Sequence, residues 1–425
     1  MTLNVAFYAP GWPAETAQNG IATYVESLAP GIEACGGKAF VIAPPAADLP
    51  ESDSFAAAFH DDSNPLRTAW FKALWKLGRG EQAHYARQTR AIANAVMRLS
   101  EKNPIDILEI EESFGWARAI QKMIDIPVIV RIHGPHFIAD KNESARGGPR
   151  QRARRIANEG AAIVNARGLS CPSKGLLEEV RNYYGGCGAV SRAIPNPIAV
   201  EDGAYRWRPE TCDPNLLLFI GRFDHCKGAD IAIQAFARAA AKRPNLRLVM
   251  AGSDHGVRAE SGEILKFQDY ADRFVPADLR ARIEFLGRVP RERIRTLRRT
   301  ALAHLSTSRH ECFAYAVSES VAAGCPVIAA KTFGPPEVFA HDHALLCADI
   351  GDVDAFADHI ERLAADPEMA ASLAANGWAA CRELLSPRKI AAQTLDFYGE
   401  ARAAAAGKTM NKATGAGSET PQAAP

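Results

Sequence analysis

Two glutamates flank the start of a predicted helix in the segment HLSTSRHECFAYAVSESVAAGCP (304–326). The apolar pattern predicts a strand, a polar turn carrying Glu311, and a helix that begins near residues 314–316 with Glu319 on its second turn. Unpaired N–H groups and the helix dipole favour a phosphate at such an end. Carboxylates beside a phosphate would repel it unless they faced hydroxyl groups, so sugar or ribose hydroxyls are their natural partners. Taken alone, the pattern is also typical of a solvated Glu319 and of Glu311 as a first-turn dipole partner.

A second pattern, LLLFIGRFDHCKG (216–228), places two cations just after a predicted strand. Arg222 and Lys227 are close enough in the chain to converge on a diphosphate, the first by forked hydrogen bonds and the second as a mobile point charge. Both charges would stabilise a leaving nucleoside diphosphate as its negative charge grows. Without their position after a predicted strand, Arg222 and Lys227 would be interpreted as two ordinary exposed residues of a loop.

The first half contains weaker candidates of the same kind. Gly20 stands at the start of a predicted helix, where a glycine lets backbone approach a phosphate, although most loop glycines serve only turns. His133 follows the predicted strand of VIVRIHGPHF (128–137). An isolated histidine is often a satisfied structural residue, so this position alone leaves both interpretations open.

The elements that must position these residues alternate along the whole chain. Short apolar runs followed by helical stretches predict an α/β fold with doubly wound parallel sheets, whose ligands bind at the carboxyl ends of the strands. The series runs twice and ends in a small, polar, aperiodic stretch. The predicted divisions are an N-terminal domain (1–200) with a basic helical insertion (about 60–102), a C-terminal domain (201–386), a terminal helix (387–405) and a disordered tail (406–425).

Composition excludes several classes of protein. The 50 basic and 49 acidic side chains nearly cancel, which argues against a nucleic-acid-binding protein. Nine scattered cysteines without a CxxC pair predict reduced thiols rather than disulfides or a zinc site. No signal-peptide pattern and no run of about 18 apolar residues occurs, so we expect a cytoplasmic protein.

Two stretches depart from the even charge balance. Residues 67–102 contain eight Lys or Arg against two acids, interleaved with Trp and Leu, and residues 141–155 contain six against one. The first stretch fits a helix pair that packs its apolar face on the N-terminal domain. It also fits an interfacial helix that contacts the anionic inner face of a membrane.

The two glutamates and the following SVAAGCPVIA resemble the pattern E-G-F-G-x4-E-A-x-A-x-G-x-P-V of the family-4 retaining glycosyltransferases (glycosyl transferases group 1). The 216–228 segment resembles the strand–G-R–x4–K-G loop of that family, and KTFGPPEVF (331–339) resembles its G-G-x-x-E loop. The glycine-rich loop before Gly20 and the HG pair at His133 also have counterparts there. Cys312, Ala314 and Pro335 stand where glycines are common in the family.

The resemblance implies a GT-B fold, with two Rossmann-like domains facing across a cleft and the terminal helix crossing back to the first domain. It implies a nucleotide-sugar donor, UDP- or GDP-linked, in the second domain and a saccharide or lipid-linked acceptor in the first. Glu311 would contact the hydroxyls of the donor sugar, Glu319 the ribose, and His133 the donor sugar and the acceptor. The implied catalytic residues are His133, Arg222, Lys227 and Glu311, and the implied donor-binding residues are Gly20, Gly221, Arg222, Lys227, Phe313, Ala314, Tyr315, Glu319 and Gly334.

The expected reaction is therefore the transfer of a hexose-type sugar with retained anomeric configuration, in polysaccharide or glycan biosynthesis. No DxD triplet stands at a predicted strand end, so we expect no metal ion and no other cofactor. A nucleotide-sugar epimerase of GT-B fold and a non-catalytic GT-B binding subunit are the alternatives, the second because of the three departures from the family pattern. The chain lacks the GxGxxG pattern of a dehydrogenase after its first strand.

Overall fold

The computed structural model describes residues 2–17, 19–45, 51–58, 65–77, 79–141, 147–259 and 261–415. The chain divides into two units, one formed by Met1–Ile194 with Arg388–Pro425 and the other by Pro195–Pro387. The predicted boundary after residue 200 thus lies six residues beyond the observed division.

Unit 1 is built on a parallel sheet of short apolar strands. Their side chains are mostly buried because helices cover both faces of a doubly wound sheet. The strands lie in the order β3-β2-β1-β4-β5-β6-β7. Their bounds are β1 Asn4–Tyr8, β2 Lys38–Ala43, β3 Phe55–Ala57, β4 Ile107–Glu111, β5 Val128–Arg131, β6 Gly168–Cys171 and β7 Ser191–Ala193.

Two helices of unit 1, α2 and α8, follow a residue whose side chain accepts a hydrogen bond from a free N–H group of the helix. The Asn19 side chain accepts a hydrogen bond from the Ala22 N–H at 2.8 Å, and the Ser173 hydroxyl accepts one from the Leu176 N–H at 3.2 Å. The bounds are α1 Ala14–Ala17, α2 Gly20–Ala34, α3 Pro65–Lys76, α4 Gly80–Lys102, α5 Trp116–Ile120, α6 His136–Lys141, α7 Pro149–Val164 and α8 Lys174–Tyr184. The predicted basic insertion corresponds to α3 and α4, and its residues 60–64 lie outside the described residues.

Unit 2 repeats the architecture with its own core. A six-stranded parallel sheet has the order β13-β10-β8-β14-β15-β16, and a small sheet has the order β12-β11-β9. The strands are β8 Asp213–Ile220, β9 Phe223–Asp224, β10 Arg247–Ala251, β11 Asp254–Arg258, β12 Ile264–Leu265, β13 Ile283–Phe285, β14 Ala301–Ser306, β15 Val327–Ala330 and β16 Leu346–Ala348. The helices are α9 Ala229–Lys242, α10 Phe267–Phe274, α11 Ala277–Arg280, α12 Arg291–Thr300, α13 Tyr315–Ala322, α14 Pro335–Val338, α15 Val353–Ala365 and α16 Pro367–Leu384. The predicted α/β fold with doubly wound parallel sheets is confirmed.

The last helix, α17 (Pro387–Gly415), belongs to unit 1 from Arg388 onward. Phe397, Tyr398 and Ala401 are fully buried there, and the Tyr398 hydroxyl donates a hydrogen bond to Glu109 Oε2 at 2.7 Å. The helix continues through 406–415, which we predicted to be disordered; this stretch follows a run of four alanines at 403–406, and alanine is the best helix former. Residues 416–425 of the predicted tail lie outside the described residues. No helix in the described part of the chain is long and apolar enough to span a membrane.

The contact between α17 and β4 can be tested by removing one oxygen atom. We expect Tyr398→Phe to lower the free energy of unfolding of unit 1 by about 1–3 kcal/mol, because the buried Glu109 carboxyl loses a hydrogen-bond donor. Thermal melting followed by circular dichroism measures the change. Tyr183→Phe is the control, since Tyr183 is 44% exposed. Equal melting temperatures of the two variants would contradict the prediction.

Candidate functional site

The loop after β8 holds its cations in place through one aspartate. The Arg222 guanidinium donates from Nε to Asp224 Oδ2 at 2.6 Å, and the Lys227 backbone N–H donates to Asp224 Oδ1 at 2.8 Å. Asp224 thereby links the two basic residues that the spacing predicts at this strand end. Gly221 is the residue that directly follows β8 and opens this loop.

Lys227 and Glu311 form the central ion pair of the site. Lys227 Nζ lies 2.5 Å from Glu311 Oε1, and the Ser308 hydroxyl donates to the same oxygen at 2.8 Å. The side chains are 25% and 11% exposed, respectively, so water screens the pair only in part. Burial would lower the pKa of Lys227, but the charge and hydrogen bond of Glu311 outweigh it and raise this pKa above its ordinary value. The Lys227 ammonium is therefore held charged next to a carboxylate.

A close approach of two backbone segments brings this pair together. Gly228 has a φ of +65°, and a Cβ there would lie 2.0 Å from the Thr307 carbonyl oxygen. The Thr307 hydroxyl also donates to the Gly228 carbonyl at 2.7 Å. Because β8 and β14 are neighbours in the sheet, this contact joins the loops that follow them. Only glycine permits that approach.

The N-terminus of α13 lies just after this ion pair in the chain. Phe313 and Ala314 are buried, and the helix starts at Tyr315, inside the predicted range of 314–316. The methyl side chain of Ala314 cannot accept hydrogen bonds from the first N–H groups of the helix, which are suited to an anionic ligand. Gly334 packs against this segment with a φ of +92°, and a Cβ there would lie 3.0 Å from Phe313 Cα.

Glu319 has a partner that the spacing did not indicate. Arg298 Nη2 lies 2.5 Å from Glu319 Oε2, and Arg298 Nε donates to the Ser320 hydroxyl at 3.1 Å. The Arg298 side chain is only 8% exposed, whereas Glu319 is 40% exposed. Glu319 therefore presents part of its carboxylate to solvent while a buried guanidinium holds it.

In unit 1, His133 lies at the carboxyl end of β5, where its backbone is held by a buried carboxylate. Glu112 accepts hydrogen bonds from the N–H groups of His133 at 2.9 Å and Gly134 at 2.7 Å. The His133 ring packs edge to face with the Tyr24 ring at 5.1 Å. Burial, together with the nearby Arg131, holds the pKa of His133 well below its ordinary value, so the imidazole is neutral at pH 7. Gly20 is the first residue of α2, as predicted.

Glu112 belongs to a buried group of carboxyls beside the carboxyl end of β4, which we call the β4 carboxyl cluster (Glu111, Glu112 and Glu159). Glu159 accepts hydrogen bonds from the N–H groups of Phe114 at 3.1 Å and His136 at 2.7 Å. Burial raises the pKa of Glu111 to about 8 and that of Glu112 to about 7, and neighbouring carboxylates add to both shifts. Of the three, Glu112 and Glu159 hold the loops after β4 and β5 through hydrogen bonds to their backbone N–H groups.

The structure thus brings Gly221, Arg222, Lys227 and Glu311 together at one edge of the unit 2 sheet, with Phe313, Ala314, Tyr315 and Gly334 beside them. His133 and Gly20 belong to unit 1. Asp224, Ser308 and the β4 carboxyl cluster were missed by the sequence reasoning. Asp224 stands two residues after Arg222, a spacing that could have indicated it, whereas no local pattern links Glu112 to His133.

Within the described residues, no three His, Cys, Asp or Glu side chains form a group that could hold a metal ion. None of the nine cysteines, all within the described residues, forms a disulfide.

The close contact at Gly228 predicts that one added methyl group lowers the stability of the protein strongly. Gly228→Ala should lower the melting temperature more than Gly203→Ala, which has nearly the same φ (+66°) but open space around the added Cβ. Both variants carry the left-handed strain of about 1–2 kcal/mol, and only the first must also displace the Thr307 backbone. Similar melting temperatures would show that this approach is not required for stability.

The β4 carboxyl cluster predicts a pH dependence of stability. Glu111 is ionised in the unfolded chain above its ordinary pKa but binds its proton in the folded chain up to about pH 8. The free energy of unfolding should therefore fall as the pH rises from about 5 to 8.5. Glu111→Gln should reduce that fall, measured by chemical denaturation at both pH values, whereas the exposed Glu284→Gln should not. A wild-type slope retained in Glu111→Gln would contradict the assignment.

Two family models match the chain, one in each half. The model described as "Glycosyl transferase 4-like domain" matches residues 19–197, and "Glycosyl transferases group 1" matches residues 205–379. Together the two matches span most of the chain.

Curated relatives and solved structures agree with these matches. The chain is 27% identical to D-inositol 3-phosphate glycosyltransferase of Corynebacterium efficiens over 66% of this chain and 68% of the relative. It is 30% identical to the enzyme of that name from Thermobifida fusca, over 62% and 61% of the two chains, so it spans about three fifths to two thirds of these relatives.

Among solved structures, sucrose-phosphate synthase from Thermosynechococcus elongatus matches with a TM-score of 0.68 at 20% identity, covering 95% of this chain and 100% of that one. HepE from Anabaena, in complex with UDP and glucose, matches with a TM-score of 0.65 at 17% identity, covering 94% and 100%. At these identities the structures show the fold alone. The predicted resemblance is confirmed, and the chain belongs to the group 1 glycosyltransferases of GT-B fold.

Proposed function

We propose that the protein is a retaining hexosyltransferase that moves a sugar from a UDP- or GDP-linked donor to a saccharide hydroxyl. The observation that carries the proposal is the Lys227–Glu311 pair, with Lys227 Nζ 2.5 Å from Glu311 Oε1, between the Arg222 loop and the start of α13. Cations suit the diphosphate of such a donor, and a carboxylate suits its sugar hydroxyls. The site therefore offers both kinds of group that a nucleotide sugar requires.

The cations would act on the leaving group. As the bond from the sugar to the diphosphate breaks, negative charge grows on the phosphate oxygens, and fixed positive groups stabilise that charge most in the transition state. Lys227 has three N–H donors, and its contact with Glu311 uses one of them. The other two are available to phosphate oxygens, together with Arg222 and the first N–H groups of α13.

Glu311 would orient the donor sugar. Within the described residues, both of its hydrogen bonds, from Lys227 and from Ser308, fall on Oε1. Oε2 is thereby left to accept a hydrogen bond from a sugar hydroxyl. A carboxylate fixed by two donors on one oxygen presents the other oxygen in a defined direction.

The bond changes follow front-face attack, the mechanism usual in the family. The acceptor oxygen forms the new glycosidic bond to the anomeric carbon as the bond to the phosphate oxygen breaks. The acceptor proton passes to the departing phosphate, so no protein base is required for that proton. His133, neutral at pH 7, would serve in this scheme as a hydrogen-bonding group.

The acceptor class is proposed from the family resemblance: a hydroxyl of a saccharide or of a lipid-linked saccharide, in polysaccharide or glycan biosynthesis. Two relatives are named for D-inositol 3-phosphate, whose hydroxyl groups are a chemically similar acceptor. One solved neighbour was bound to UDP and glucose, which supports the donor class. Charge stabilisation by Arg222 and Lys227 would make a divalent ion unnecessary.

Nucleotide binding tests the donor site directly. We expect UDP or GDP to raise the melting temperature, since a ligand at 100 times its Kd stabilises a protein by about 2.7 kcal/mol. Lys227→Met should abolish the shift, because a cation on the diphosphate is lost. Lys242→Met is the matched control, since Lys242 ends α9, outside the site loops, and pairs with Glu361 at 2.8 Å. No shift with UDP, GDP or ADP and their sugars would contradict the proposal.

Sugar transfer is then measured with the donor that binds, by NMR of the product. Glu311→Gln should lower kcat/KM by about a hundredfold or more, because a positioned carboxylate is lost while the loop is kept. The product should keep the anomeric configuration of the donor, and EDTA should leave the rate unchanged. Inverted product, or transfer abolished by EDTA and restored by Mg²⁺ or Mn²⁺, would overturn those parts of the proposal. A converted donor sugar without acceptor would instead indicate the epimerase.

A further inference from the structure

Helix α3 exposes a stripe of large apolar side chains, which we call the α3 stripe (Leu66, Trp70 and Leu77, the last just beyond the helix end). These side chains are 80%, 65% and 70% exposed, respectively. At 3.6 residues per turn, their positions fall within about 40° around the helix axis, on one face. Exposed apolar side chains grouped in this way mark an interaction site more often than isolated ones do.

The packing of α3 on unit 1 does not require this stripe. The helix packs on α4, and its half-buried apolar side chains, Phe71 and Leu74, lie outside the 40° sector. The Arg87 guanidinium of α4 lies over the Phe71 ring at 5.0 Å. The predicted packing of a helix pair is therefore present, and it leaves the opposite face of α3 exposed.

The segment that carries the α3 stripe is basic, although Asp61 and Asp62 precede it in the sequence. The segment 65–80 contains no Asp or Glu, and Lys72, Lys76 and Arg79 within it are exposed. The first acid after it, Glu81, pairs with Arg154 of α7 at 2.8 Å. That contact joins the two basic stretches of the sequence, because Glu81 lies in 67–102 and Arg154 in 141–155. The exposed Arg150 lies one helical turn before Arg154.

We infer that the α3 stripe and its flanking cations form a docking surface for an anionic lipid bilayer. A Trp and two Leu on one narrow face suit shallow insertion at the boundary between headgroups and acyl chains. The surrounding lysines and arginines complement the negative charge of phosphatidylglycerol or similar headgroups.

This surface adjoins the edge of unit 1 where a doubly wound sheet binds ligands. Arg155, next to Arg154, lies over the Phe114 ring at 4.0 Å, and Phe114 stands in the loop after β4. If this surface binds a membrane and the protein is the proposed transferase, its acceptor is one presented at a membrane surface. This step rests on the proposed function.

Vesicle co-sedimentation of the full chain, without donor or acceptor, tests the surface. We expect binding to vesicles of equimolar phosphatidylglycerol and phosphatidylcholine, and little binding to phosphatidylcholine alone. Trp70→Ser/Leu77→Ser should weaken binding roughly tenfold, because two inserted apolar side chains are lost. Lys72→Glu/Lys76→Glu should weaken it by about fivefold or more for each residue, and added salt should reduce wild-type binding.

Matched controls lie in unit 2. Phe274→Ser/Ile350→Ser removes two apolar side chains that are 51% and 50% exposed, and Arg288→Glu/Arg293→Glu reverses two exposed charges. Both should bind vesicles as the wild type does. Equal binding to both kinds of vesicle, unchanged binding of the α3 variants, or a dimer that these variants abolish would overturn the inference. The UDP or GDP melting shift should persist in the α3 variants, so failure of the surface and failure of the donor site are told apart.

Discussion

The donor side of this protein depends on a backbone contact too close for any side chain. Gly228 meets the Thr307 carbonyl where a Cβ would lie only 2.0 Å from the oxygen. Because β8 and β14 are adjacent, this contact joins the loop that carries Lys227 to the loop that carries Glu311. The Lys227–Glu311 ion pair therefore depends on this backbone approach. Gly228 has no functional side chain, but it determines where these two charged side chains meet.

The same edge of the sheet balances its charges locally. Arg222 pairs with Asp224, Lys227 with Glu311, and Arg309 forms a forked contact with Asp230 at 2.7 and 2.6 Å. Burying part of a cation without a partner costs free energy, and each of these cations forms an ion pair with a carboxylate. This arrangement is compatible with the proposed donor site in a chain whose 50 basic and 49 acidic side chains almost cancel. In that proposal, the diphosphate would use the N–H donors that these carboxylates do not occupy.

Strands and helix starts that depend on local sequence patterns were predicted correctly. Side-chain partners that come from distant elements were not. Apolar runs indicated the central strands, whereas β6 (GLSC) and β7 (SRA) are too short and too polar to stand out. The Glu-x7-Glu spacing located the start of α13, but the Arg298 partner of Glu319 comes from a separate helix. Helical periodicity could not separate the two faces of α3, because the spacing of Trp70 and Leu74 suits burial and exposure alike.

The two units hold their ligand-side loops by different physical means. Unit 2 relies on a glycine approach, which is indifferent to pH, whereas in unit 1 the Glu112 carboxylate accepts the N–H groups of His133 and Gly134. Burial raises the pKa of that carboxyl to about 7, so protonation near neutral pH removes charge from the group that holds the loop. A neutral carboxyl accepts hydrogen bonds less strongly than a carboxylate. The hydrogen bonds that hold the His133 backbone therefore weaken as Glu112 binds a proton, whereas the backbone approach of Gly228 to Thr307 contains no titratable group.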